Sequence, residues 1–162
     1  MKTVVIDTNV LICANEQSEE ADSTCAAQSA RILHESMTKH IVLIDDAQMA
    51  VAEYKKYCNH SGQPGVGDRF FQQLFRNIAN TNRVRVVDIG KSPDEVSNHV
   101  PESLQNFDRS DQKWIALYIC GEGDVIYNAT DSDYSEAKDA LTAEGIVVEE
   151  LCLNCIRLKP KR

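Results

Sequence analysis

The sequence predicts an α/β fold, a three-layer α/β/α arrangement around a central parallel sheet of roughly five strands. Short apolar runs of strand character alternate with segments of helical spacing along the whole chain. Such alternation is typical of a parallel sheet with helices on both faces. The chain has 162 residues, which suits one domain with a substantial core. We assign residues 1–158 to that domain and the basic residues 159–162 to a C-terminal tail.

The strands are predicted from short apolar runs, of which the first ends at Ile6 in the segment TVVIDTNVLI. Runs of this length, bounded by turn residues, are typical of buried strands. The predicted strands cover residues 3–6, 41–44, 83–89 and 124–129, and a last strand begins in 146–148.

The helices are predicted from apolar residues spaced three and four apart. The predicted helical segments are 26–37, 47–58, 71–78, 110–120 and 135–144. The third is expected to bury Phe71, Leu74, Phe75 and Ile78 on one face. Asp45 and Asp46 suit the start of the 47–58 helix, and Gly145 suits the end of the last one. Loops are predicted at 61–67 and over most of 90–108.

The composition excludes several classes of function. The chain has 17 Lys and Arg and 25 Asp and Glu, which gives a net charge of −8. A phosphate-bearing partner would therefore need a bound cation or a small basic patch. No apolar stretch approaches the roughly 20 residues of a membrane span, and Asp7 interrupts the run that a secretory signal would need. We expect a cytoplasmic protein whose six cysteines are reduced, including the Cys152-x-x-Cys155 pair, which alone is only half a zinc site.

Acidic residues follow or open several of the predicted elements. Asp7 comes directly after the first strand, and Asp131 comes directly after the fourth. Asp111 opens the 110–120 helix, and Glu53 lies at the edge of the apolar stripe of the 47–58 helix. The carboxyl ends of parallel strands meet at one edge of a sheet, where ligands bind in such folds. We therefore expect these four acids to converge there.

Several ionised carboxylates share a pocket only when a cation compensates their repulsion. Oxygen ligands suit Mg²⁺ or Mn²⁺, and such an ion could polarise a phosphoryl oxygen and activate water. The chemistry that fits is phosphodiester hydrolysis. Three further polar residues are expected at the rim of the pocket, namely Asn9, Asp108 and Asp133.

Each acid also has a purely structural explanation, and the residues alone leave both explanations open. Asp7 could form a turn that ends the strand and caps the next segment. Asp111 could favour its helix dipole, with Ser110 as the N-cap. Glu53 could be a solvated helix residue, and Asp131 could be a turn residue.

Four segments, in this order, resemble the motifs of the PIN-domain family: VVIDTNVLI, AVAEYKKY, DRSDQKWIALY and NATDSDY. The resemblance covers nearly the whole chain. It implies a compact α/β/α fold and Mg²⁺- or Mn²⁺-dependent ribonuclease activity on RNA. It also implies homodimers and, for many VapC-like members, a toxin neutralised by a small antitoxin protein. The implied metal-binding and catalytic acids are Asp7, Glu53, Asp111 and Asp131, with Asp133 as a further metal residue, Thr8 or Asn9 supporting Asp7, and Asp108 as a spare acid.

Basic residues that could hold RNA phosphates are Lys55, Lys56, Arg69 and Arg76, with Arg83 and Arg85 as weaker candidates; ordinary solvated side chains are the alternative for each. Two other functions compete with the nuclease. One is a PIN-fold module that binds RNA or protein without catalysis. The other is a phosphatase with an aspartyl nucleophile, which is disfavoured because Asn9 stands where a second acid is usual.

Overall fold

The computed structural model describes residues 1–156, so the predicted tail 159–162 lies outside the described residues. Within them, five strands form one sheet in the order β3-β2-β1-β4-β5, with every neighbouring pair parallel. The strands are β1 (Thr3–Ile6), β2 (Ile41–Asp45), β3 (Val84–Val87), β4 (Val125–Asn128) and β5 (Val148–Glu150). The predicted five-stranded parallel sheet is therefore confirmed.

Helices flank this sheet, consistent with the predicted three-layer arrangement. They are α1 (Thr8–Ala14), α2 (Ser23–Lys39), α3 (Met49–Tyr57), α4 (Val66–Arg76), α5 (Pro93–Ser97), α6 (Gln112–Cys120), α7 (Asp133–Glu136) and α8 (Lys138–Ala143), with 3₁₀ turns at Glu102–Leu104 and Leu153–Cys155. Helix α6 packs on β1, β2 and β4, and α1, α2 and α4 pack together as a second group. Among the described residues, no helix combines the length and the apolar character needed to span a bilayer.

The strand order places a topological switch point between β1 and β4. From β1 the chain continues through β2 to β3 on one side of the sheet, and it places β4 and β5 on the other side. Ligands in open parallel sheets bind beyond the carboxyl ends of the strands at such a point. Asp7 follows β1 directly, and Asp131 lies three residues beyond the end of β4. The fold alone therefore brings two of the predicted acids to the expected crevice.

Helix α1 is an element that the sequence pattern did not predict. It begins at Thr8, immediately after β1, and Asp7 is its N-cap. The Asp7 Oδ1 atom accepts a hydrogen bond from the Asn9 backbone N–H at 3.3 Å, which satisfies one of the free donors of the first turn. The structural explanation for Asp7 as a cap is therefore correct, and it is compatible with a second role in the crevice.

The segment 90–107 is more ordered than the predicted loop. It contains α5 and a 3₁₀ turn, and it buries Val96, Val100, Leu104 and Phe107 in the core. These apolar residues are spaced four, four and three apart, which is helical spacing. The stripe is inconspicuous in the sequence because the residues between its members are mostly polar.

Three predicted helices differ in detail. Helix α6 begins at Gln112 with Asp111 as its N-cap, so Asp111 lies before the helix and Ser110 is not the cap. Helix α4 ends at Arg76, so Ile78 lies beyond it, and Phe75 is 52% exposed instead of buried. Phe70 and Phe71 are fully buried, and Phe71 thus has its predicted place in the core. The predicted helix over 135–144 is two short helices, α7 and α8, and the chain leaves α8 through Gly145 at φ +72, a conformation that glycine adopts readily.

The cysteines correct another expectation, because two of them form a disulfide. Cys25 on α2 is bonded to Cys152, two residues beyond β5. Cys13, Cys58, Cys120 and Cys155 are free. The expectation of six reduced thiols was therefore wrong for this pair, and Cys152 does not belong to a Cys-x-x-Cys metal site in this structure. The disulfide ties the edge of the sheet near β5 to the long helix α2.

Candidate active site

Three aspartates from three different elements meet at the switch point. Asp7 is the N-cap of α1, Asp111 is the residue before α6, and Asp131 follows β4. One carboxylate oxygen from each can be chosen so that all three lie within 4.8 Å of one another. The structure thus brings together three of the four acids that the sequence predicted to converge.

Burial makes this arrangement electrostatically demanding. Asp7 is only 4% exposed, and burial, with Asp131 as a further contributor, raises the pKa of its carboxyl to about 7. Burial, followed by the charges of Asp7 and Asp131, raises the pKa of Asp111 to about 8. Each carboxylate therefore disfavours ionisation of its neighbours. A cation bound between them would reverse this effect, since it favours the ionised form of every ligand.

Asp7 is held by two hydrogen bonds, one to each oxygen. Its Oδ1 atom accepts from the Asn9 backbone N–H, and its Oδ2 atom accepts from the Tyr134 hydroxyl at 2.8 Å. Tyr134 is fully buried, and burial together with the charge of Asp7 keeps its pKa well above the ordinary value, so the phenol remains a donor. A carboxylate oxygen has two lone pairs, so both Asp7 oxygens retain acceptor capacity toward the crevice.

An amide network joins the start of α1 to the end of β4 at the switch point. The Asn9 Nδ2 atom donates to Asn128 Oδ1 at 2.8 Å, and the Ala129 backbone N–H donates to Asn9 Oδ1 at 2.7 Å. Asn128, at the end of β4, donates in turn to the backbone carbonyl of Asp131 and to Glu150. Asn9 therefore ties α1 to β4, which is consistent with its predicted supporting position.

Glu53 is not among the three clustered aspartates. Its Oε1 atom lies 2.9 Å from the Lys113 ammonium, and its Oε2 atom accepts a hydrogen bond from the Thr8 hydroxyl. Its side chain is 22% exposed and that of Lys113 is 10% exposed. The predicted role of Glu53 as a metal ligand stays a prediction, but in this structure its carboxylate is already paired with the ammonium of Lys113.

The two remaining acids form a second group around Asp111. One oxygen each of Asp108, Asp111 and Asp133 also lie within 4.8 Å of one another. Asp108 is exposed, whereas Asp111 and Asp133 are half-buried. Asp108 accepts hydrogen bonds from the backbone and the hydroxyl of Ser110. Both predicted rim acids therefore lie beside Asp111, on a more solvated side of the cluster.

The predicted phosphate-binding residues are distributed over α3, α4 and the start of β3. Lys55 and Lys56 are exposed in the last turn of α3, and Arg69 and Arg76 are exposed on α4. Lys56 is three residues after Glu53, so the two share one side of the helix. Arg83 precedes β3, at the amino end of the strands, and the Arg85 guanidinium donates to the Gly121 carbonyl at 2.9 Å. Arg83 and Arg85 are therefore poorly placed to hold a substrate at the carboxyl edge.

Sequence reasoning missed three residues of this site: Lys113, Asn128 and Tyr134. Lys113 is 8% exposed, and such burial of a lysine requires a partner. Its position two residues after Asp111, on a helix that is apolar on all sides, was the available signal. Tyr134 and Asn128 stand within or at the border of the NATDSDY motif, but spacing alone does not reveal which polar atoms meet.

Comparison with known proteins does not extend these observations. No protein-family model, curated protein or solved structure matches this chain. The resemblance of four short motifs to the PIN-domain family therefore remains a resemblance. A functional assignment depends on those motifs and on the geometry of the three clustered aspartates.

Proposed function

We propose that this chain is a divalent-cation-dependent ribonuclease of the PIN-domain type that hydrolyses RNA phosphodiester bonds. The observation that carries the proposal is the convergence of Asp7, Asp111 and Asp131, with oxygens within 4.8 Å, at the switch point of a parallel sheet. Three carboxylates at this spacing provide oxygen ligands of the kind that Mg²⁺ and Mn²⁺ prefer.

The donor set fits such an ion. Asp7 and Asp111 have pKa values raised to about 7 and about 8 by burial and by neighbouring carboxylates, so holding them ionised near neutral pH calls for a compensating charge. When bound, a divalent cation would supply Lewis-acid activation of water and neutralise charge on the phosphodiester. Asp7, Asp111 and Asp131 would hold it, with Asp133 at the more solvated side.

The surrounding residues keep the ligands in place. Tyr134 and the Asn9 backbone N–H each donate to one oxygen of Asp7, which fixes the plane of its carboxylate. The Asn9 side chain joins α1 to the end of β4, so the elements that carry Asp7 and Asp131 move together. Such outer contacts typically affect metal affinity or activity by about 10–100-fold.

RNA would approach a protein of net charge −8 through local basic residues. Lys55 and Lys56 are the best placed, because they follow Glu53 on α3 and are exposed; Arg69 and Arg76 would extend the contact along α4. Phosphate contacts of this kind position a nucleic acid without reading its sequence. A cytoplasmic location, a homodimer and a small antitoxin partner, as in VapC-like proteins, belong to the same proposal.

The test is cleavage of a single-stranded RNA pool with Mn²⁺, Mg²⁺ or EDTA, comparing the wild type with Asp111→Asn. We expect cation-dependent cleavage that EDTA abolishes and that the variant loses by at least about 100-fold, more than an outer contact contributes. Asp139→Asn, on the exposed side of α8, is the matched control and should cleave like the wild type. Equal activity of wild type and Asp111→Asn would reject the nuclease. An inert wild type that binds no Mn²⁺ would favour the non-catalytic binding module.

A further inference from the structure

The Glu53 carboxylate connects the starts of two helices that carry clustered aspartates. Its Oε2 atom accepts from Thr8, the first residue of α1, which directly follows Asp7. Its Oε1 atom lies 2.9 Å from the ammonium of Lys113, the second residue of α6, two positions after Asp111. One side chain on α3 thus contacts the neighbours of two predicted ligands.

Lys113 is held in a defined position next to this cluster. Its ammonium donates to Glu53 and to the Ser110 backbone carbonyl, and it lies 4.8 Å from the centre of the Trp114 ring. The residue is 8% exposed. A buried ammonium requires a paired anion, and removing one partner of such a pair is strongly unfavourable. Two of the three N–H donors of the ammonium are therefore used, one by Glu53 and one by the Ser110 carbonyl. These contacts hold the ammonium of Lys113 next to Glu53.

The ion pair with Lys113 reduces the net negative charge that Glu53 presents to a metal cation. A carboxylate that already pairs with an ammonium at 2.9 Å presents less net charge to a further ion, although the charge of Glu53 still contributes to the raised pKa of Asp7, after burial and Asp131. The three aspartates cluster with one another, and in Asp111 the effect of Lys113, which lowers the pKa, ranks after burial and the charges of Asp7 and Asp131, which raise it. The two groups are thus distinguished by their partners: Asp7, Asp111 and Asp131 share one crevice, and Glu53 belongs to an ion pair beside it.

We propose that Glu53 is a positioning residue and not a ligand of the catalytic cation, and that Lys113 keeps its carboxylate out of the ligand set. The cation would be bound by Asp7, Asp111 and Asp131 alone. Through Thr8 and Lys113, Glu53 would set the separation of the α1 and α6 starts, and a displacement of about 1 Å at such a site can reduce the rate by about 100-fold. This inference rests on the proposed function.

The experiment measures Mn²⁺ affinity by calorimetry, which does not depend on activity. We expect Glu53→Gln to weaken binding by no more than about 10-fold, because it leaves the Lys113 ammonium without its counter-charge beside the cation, whereas Asp111→Asn should weaken binding by at least about 100-fold, more than an outer contact contributes. Lys113→Met should tighten binding by about 3–10-fold, because it removes a nearby positive charge and releases a carboxylate. That gain should vanish in the Glu53→Gln/Lys113→Met double variant, since the positive and the negative charge of the pair are then removed together.

One further variant is a control for charge, and the double variant also controls for folding. Glu35→Gln removes one partner of the exposed Arg31–Glu35 pair on α2 and should leave the Kd unchanged. If either single variant at the buried pair fails to fold, the double variant replaces both charges with neutral residues of similar size, a change that buried pairs tolerate. It should bind Mn²⁺ with nearly wild-type affinity.

The outcomes separate the two proposals. If Glu53→Gln weakens Mn²⁺ binding as much as Asp111→Asn does, Glu53 is a ligand and the inference is overturned while the proposed function stands. The inference is likewise overturned if the double variant loses affinity by more than about 10-fold. If the wild type binds no Mn²⁺, or if Asp111→Asn binds it normally, the proposed site itself is wrong and the inference is lost with it.

Discussion

Tyr134 donates its phenol hydrogen bond to Asp7 across 127 positions of sequence, at 2.8 Å between the hydroxyl and Oδ2. Tyr134 lies in α7, after β4, whereas Asp7 follows the first strand. The bond therefore joins the segment after β4 to the residue that follows β1. It is also the largest interaction that lowers the pKa of Asp7 against the effect of burial.

Replacing Tyr134 with phenylalanine should destabilise the protein mainly at high pH. The variant leaves the buried Asp7 carboxylate without one of its two donors, which costs about 1–3 kcal/mol. Below the Asp7 pKa of about 7 the carboxyl is protonated and the loss should be smaller. Urea denaturation at pH 5 and pH 8 measures the difference. Tyr118→Phe, which removes a hydrogen bond to the Gly145 carbonyl at the surface, should show no such dependence; a pH-independent loss in Tyr134→Phe would contradict the prediction.

Asp7→Asn should stabilise the cation-free protein, and increasingly so as the pH rises. The folded pKa of about 7 exceeds the ordinary 3.8, so the native state binds more protons than the unfolded state between these values. This contribution to the stability of the wild type is therefore fully present below about pH 4 and is lost as the pH rises through 7. The asparagine variant lacks this loss.

Thermal melts in EDTA from pH 5 to pH 8 test this expectation. The melting temperature of the variant should exceed that of the wild type by a smaller margin at pH 5 than at pH 8. A chain of this size gains about 2–4 °C for each kcal/mol. Asp139→Asn should follow the wild type at every pH. Gross unfolding of Asp7→Asn would mean that its role as a cap and hydrogen-bond partner outweighs the electrostatic relief.

The sheet and its crevice could be predicted because they depend on local signals. Apolar runs fixed the strands to within a few residues, and the rule for parallel sheets placed Asp7 and Asp131 at one edge. Helix α1 was missed because the TNV segment at its start has low helix propensity. The helix nevertheless forms there because Asp7 caps it and because Val10 and Leu11 are fully buried.

Other features depend on contacts between distant residues, which spacing does not reveal. Glu53 and Lys113 are 60 positions apart, and each alone resembles an ordinary charged helix residue. Only the fold shows that both are largely buried and face each other. The Cys25–Cys152 bond, 127 positions apart, was likewise missed, because the spacing of the two cysteines does not reveal their contact and all six thiols were expected to be reduced.

Adding Mn²⁺ should stabilise the wild type, and more so at pH 8 than at pH 5. A ligand that binds only the folded state contributes about 2.7 kcal/mol at 100 times its Kd. Protons compete with the cation for Asp7 and Asp111, whose pKa values are about 7 and about 8, so affinity should rise with pH. Thermal melts with and without Mn²⁺ measure this shift. EDTA should reverse it and Asp111→Asn should lack it; an equal shift in that variant would place the ion elsewhere.

Reducing the Cys25–Cys152 disulfide should destabilise the fold. The bond closes a loop of 127 positions, for which chain-entropy estimates give about 5 kcal/mol, and measured values are about 2–4 kcal/mol. Urea denaturation of Cys152→Ser, or of the wild type with excess dithiothreitol, should show a loss in this range. Cys120→Ser, at a free and half-buried thiol, is the control and should change little.

Because Cys152 lies two residues after Glu150, which accepts a hydrogen bond from Asn128, loss of the disulfide should also loosen the switch point. Hydrogen exchange should therefore quicken at Asp131 and Leu151, whose backbone N–H groups both donate to Asn128; unchanged protection there would show that the disulfide secures only the edge of the sheet.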